Sequence, residues 1–107
     1  MNNPLVDTVL DDLIHDLAQS ALNSLDKHIP NCSNELRVQY IGRALAEVLS
    51  IIVCSAPAEQ VQELSDNLCK SIQLAVSHNV SIEQLLIKTF GQSPEKNLSL
   101  KIKEMLN

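Results

Sequence analysis

The chain has 107 residues, 45% of them hydrophobic but only 2% aromatic, with two glycines, four prolines and a formal net charge of −5. One domain, residues 1–107, is expected, with a core of Leu, Ile, Val and Ala that favours helix packed on helix, while the scarcity of turn residues excludes a many-stranded sheet. The acidic balance argues against non-specific DNA binding, which needs a concentrated positive field to displace counterions from phosphates.

The first segment, "PLVDTVLDDLIHDLAQSALNSLDKH" (4–28), repeats apolar residues at three- and four-residue spacing for about six turns. Asp7, Asp11 and Asp12 sit toward its positive end and Lys27 and His28 toward its negative end, as the helix dipole prefers. "IPNCSN" ends it, because Pro30 excludes the helical conformation from Ile29. A second helix starts near Ser33 or Asn34, either a suitable cap, and keeps a polar face only as far as Glu47. From Val48 to Cys54 only Ser50 is polar. A helix end that is apolar all round is expected to be covered on more than one side.

"CSAPAEQ" restarts the chain, with Ser55 or Ala56 as cap, Pro57 in the first turn and Glu59 at the positive end of a third helix reaching about His78. Ser81 and Gln84 have the spacing of a capping box, which predicts a short fourth helix ending at Gly91. "SPEKNLSLKIKEMLN" restarts once more, with Ser93 as cap and Pro94 at the first helical position. The expected architecture is therefore an all-α bundle of four to five helices, with a three-helix core over 1–78 and a C-terminal helical extension over 79–107.

Three cysteines, Cys32, Cys54 and Cys69, form an odd count, and no basic segment leads into an apolar one at the start. Reduced thiols and a cytoplasmic location are the expectation. The longest uninterrupted apolar run, Ile51 to Cys54, falls far short of the ~20 residues of a membrane span.

Chemical motifs are sparse. Asp12 and His15 share a helix face, but no second such pair completes a bundle-type metal site, so the acids read as a solvated helix start. The cysteines lack the short pairing of a zinc site. A nucleophilic thiol at Cys32, with His28 four residues before it, defines one alternative, a thiol-dependent enzyme, although no third group or oxyanion donors accompany it. A second alternative is a nucleic-acid-binding regulator that places Lys96, Lys101 and Lys103 of the last helix on phosphates. The residues around them are mostly apolar, and base-reading Arg, Asn and Gln are scarce.

"LNSLDKH" (22–28), "IGRALAEVLSIIV" (41–53), "SAPAEQ" (55–60) and "SIQLAVS" (71–77) together resemble the YejL-like family of small proteobacterial helical proteins. The resemblance covers about two-thirds of the chain. It implies a three-helix unit that assembles as a homodimer and carries no biochemical activity across. The residues lead to a similar place, because a helix end that is apolar on every side needs two covering layers; helices one and three supply one, and a second copy is expected to supply the other, the alternative being that the C-terminal helices fold back over Ile51 and Val53. The expected function is that of a non-enzymatic protein-interaction module, an adaptor, chaperone-like or regulatory binding protein, without cofactor, metal or catalytic residues. Its expected dimer interface is Val48, Leu49, Ile51, Ile52 and Val53, with Lys96, Lys101 and Lys103 as polar docking residues; the partner is another protein rather than nucleic acid or a membrane.

Overall fold

The computed structural model describes residues 4–91 and 96–107, and these contain four α-helices, one 3₁₀ turn and no strand. The helices are α1 (Pro4–His28), α2 (Asn34–Cys54), α3 (Val61–Phe90) and α4 (Leu98–Leu106). The all-helical expectation holds, and α1 and α2 lie where apolar spacing places them. Contacts gather the chain into two compact units, one of Met1–Ala44 with Lys96–Asn107, the other of Leu45–Glu95.

In the first unit α4 packs against α1. The buried side chains among the described residues are Ala18, Leu22 and Leu25, which follow one another at i, i+4 and i+7 along one face of α1. Leu25, 1% exposed, is the most enclosed. From α4, the half-buried Leu98, Ile102 and Leu106 recur at four-residue spacing, the stripe that a short packed helix turns inward.

The second unit is an αα-hairpin: the end of α2, a tight connection, and α3. Ser55 does not open the third helix but closes the second, its hydroxyl donating to the Ile52 carbonyl at 2.6 Å and its amide reaching Ile51 and Ile52. Pro57 stays extended (φ −54°, ψ 141°), and the Gln60 amide donates to its carbonyl at 2.8 Å, so Ala58–Gln60 form the 3₁₀ turn and α3 starts at Val61. Pro57 thus precedes the helix instead of sitting in its first turn.

The larger departure is the length of α3. It runs unbroken through Asn79, Val80 and Ser81 for 30 residues, so the predicted end near His78 and the separate fourth helix are one element. Ser81 does not cap; its hydroxyl donates back to the Ser77 carbonyl at 3.0 Å, the bond a serine inside a helix makes one turn earlier. No Gly or Pro lies between His78 and Gln84, and the lower propensity of Asn79 and Ser81 costs only tenths of a kcal/mol each, about 0.7 at most. The predicted stop at Gly91 is observed. Its left-handed backbone (φ 68°) turns its amide onto the Ile87 carbonyl at 2.7 Å.

The Ser93 cap and Pro94 start lie outside the described residues. Lys96 and Asn97 are not helical, and α4 begins at Leu98 under an Asn97 cap whose side chain accepts from the Leu100 amide.

Candidate functional site

The five residues expected at an interface lie on the last two turns of α2, where the helix divides them between two directions. Leu49 and Val53, four apart, are half-buried on the side toward α3. Val48, Ile51 and Ile52 stay exposed, Ile51 most of all at 71%. The expectation that the whole run is covered on more than one side is therefore not met within the protomer.

Between α2 and α3 opens a groove of about 320 Å³. From α2 it is lined by the large pair Leu49 and Val53 and the small pair Ala46 and Ser50, each pair spaced i, i+4. α3 repeats the pattern with Leu68 and Ile72 beside Ser65 and Cys69, and Cys54 completes the lining. None of these residues is charged. Alternating large and small side chains on two helices forms ridges and hollows of the kind that receive another helix. The apolar stripe of the third helix, with Leu68 and Ile72 in it, is readable from the sequence as a layer over the α2 run, whereas the small pair Ser65 and Cys69 beside it is not part of that stripe.

The first unit holds a polar clasp that sequence reading placed on a wet face. Arg37, its side chain 13% exposed, donates from Nη1 to Ser99 Oγ at 2.8 Å, from Nε to the Ile29 carbonyl at 3.2 Å and from Nη2 to Asp26 Oδ1 at 3.3 Å. One guanidinium therefore ties the end of α1, the start of α2 and the start of α4. A cation in the first turn of a helix opposes the dipole, and that local misfit was the clue that its partners lie elsewhere. The two candidate caps of α2 also divide their work: Ser33 Oγ accepts from the Leu36 amide, while Asn34 Oδ1 accepts from the Leu98 amide at 2.7 Å and caps α4. Together Asn34 and Asn97 satisfy two of the amides that a helix start leaves unpaired.

The lysines expected as polar docking residues cluster by sequence around α4. Lys101 pairs with Glu104 one turn on, at 3.9 Å, and Lys103 is exposed. Lys96 is exposed beside the α4 cap and makes an interaction of its own. Cys32 is a half-buried free thiol in the connection between α1 and α2, and Cys54 and Cys69 are exposed free thiols. Among the described residues no three His, Cys, Asp or Glu side chains come together as a metal site, Asp12 and His15 included. A second hollow of about 300 Å³ lies in the first unit, lined by Leu25, His28, Ile29, Tyr40, Ile41 and Ala44. It has too few convergent polar groups to orient a small ligand. No described helix is long and apolar enough to cross a membrane.

Compared with known proteins, the chain matches no family model, no curated relative and no solved structure.

Proposed function

We propose that this chain is a non-enzymatic protein-interaction module, an adaptor, chaperone-like or regulatory binding protein of the cytoplasm, and that it works as a small helical homodimer. One observation carries the reading: among the described residues three side chains are buried, all on α1, while large hydrophobics stand exposed along every helix. Single exposed apolar residues are ordinary on any surface, but contiguous apolar faces on successive turns mark interaction sites. The described part of the Leu45–Glu95 unit contains no buried side chain at all. Fixing one residue's backbone costs about 1–2 kcal/mol, and burial must offset that cost before a long helix holds its place. A partner is the direct source of that burial.

Absolute mass by light scattering on a gel-filtration column, across a range of protein concentrations, tests the reading. A mass near twice 11.8 kDa is expected. A monomer at every concentration would overturn the homodimer.

A further inference from the structure

The groove between α2 and α3 has the dimensions, the chemistry and the need for an occupant, and we infer that a second copy of the same αα-hairpin fills it, so that two hairpins close into a four-helix bundle. The inference rests on the homodimer reading and adds the face and the mode of assembly.

Surface area points to a copy rather than a small ligand. Two compact bodies, each of half this chain's mass and touching nothing, would together expose roughly 7,100 Å². The chain exposes 8,766 Å². The surplus of about 1,600 Å², taken against two bodies that touch nothing, is about twice the ~800 Å² per partner of a standard interface. It matches the obligate homodimer class, whose interfaces resemble a domain core cut in half. Most of the surplus apolar surface belongs to the hairpin, which carries thirteen of the twenty-three exposed large hydrophobics among the described residues.

Self-pairing also answers the charge problem. Two chains of net charge −5 repel at long range, so contact between copies needs a face free of like charges. Every residue lining the groove is neutral. The lining is self-complementary as well: each helix offers one large and one small i, i+4 pair, so Leu68 and Ile72 of one copy fit over Ala46 and Ser50 of the other, and the exchange is mutual under two-fold symmetry. Two helices leave each inward side chain half covered, as Leu49, Val53, Leu64 and Leu68 are. Four helices enclose them.

The groove thiols report directly on the occupant. Brief alkylation of the native full-length protein, read at each cysteine by mass spectrometry, should find Cys54 and Cys69 protected about tenfold or more relative to Cys32 at concentrations where light scattering gives a dimer, with protection lost on dilution through the dissociation range. A stable dimer whose Cys54 and Cys69 react as fast as Cys32 would overturn this face while leaving the homodimer in place. A monomer at every concentration would instead overturn the homodimer itself, and the groove assignment with it.

Discussion

Replacing Arg37 by Ala would leave the Ser99 hydroxyl and the Ile29 carbonyl without their donor in a partly enclosed site. A loss of about 1–3 kcal/mol is expected from the unmet groups, with amide exchange in α4 faster than in α1. Unchanged exchange in α4 would show that its apolar stripe alone holds it. The neighbouring ion pair contributes little to that loss: Asp26 is 60% exposed, so Asp26→Ala should cost under about 1 kcal/mol in urea unfolding. Leu25→Ala is the sharper test of the core, because Leu25 is almost fully enclosed; about 2–5 kcal/mol should be lost. At this scale apolar spacing revealed the inward face of α1, since Ala18, Leu22 and Leu25 follow the helical repeat. It could not reveal Arg37, whose three partners come from chain segments up to 62 residues away.

Helix ends show where local pattern suffices and where it does not. Gly91 was legible because a left-handed stop needs a residue without Cβ, and that demand is local. Gly91→Ala should therefore cost about 1 kcal/mol, with no neighbouring atom to blame, since a Cβ there meets open space. The Ser81–Gln84 spacing misled because a capping box and a serine within a helix can have identical sequence; only the direction of the Ser81 hydroxyl, toward the Ser77 carbonyl, separates them. Ser81→Ala distinguishes the two experimentally. A cap would lose about 1 kcal/mol, whereas an interior serine replaced by the best helix former should leave stability unchanged or raise it by a few tenths. Thermal unfolding followed by circular dichroism reads the difference, and a clear loss of stability would break α3 into the two helices of the sequence reading. Pro57 illustrates the same limit from the other side: proline fits the first turn of a helix and the residue just before one, and only its extended backbone, with the Gln60 amide donating to its carbonyl, decides.

For the whole molecule, the decisive comparison is between Ile51 and its groove-lining neighbour Ser50. Sequence alone gave Ile51 two covering layers, so that an aspartate there would bury an unpaired charge and either unfold the protein or split an oligomer. The protomer leaves it 71% exposed, which removes the first outcome: Ile51→Asp places its charge in water as long as the chain is alone. Ile51 is also outside the groove lining, so a dimer closed over the groove should keep both its helix content and its mass with this substitution, whereas Ser50→Asp, at an exposed position within the lining, should keep helix content near that of the parent while lowering the mass seen by light scattering. Leu25→Asp, in contrast, should unfold the first unit at any concentration, because that charge has no route to solvent. The same logic predicts that the melting temperature of the parent protein climbs by several degrees over a hundredfold rise in concentration, since mass action stabilises any species that exists only when copies meet. A concentration-independent melting temperature, with a mass unchanged by Ser50→Asp, would mean that the groove contributes nothing between copies. The pairing of these two measurements matters because each alone has a bland reading: a mass change can follow from local unfolding, and a shifted melting temperature from weak self-association. Helix content held constant while mass and melting temperature fall together in Ser50→Asp, and neither falls in Ile51→Asp, has one physical cause, the loss of a contact in which the groove is covered by another chain.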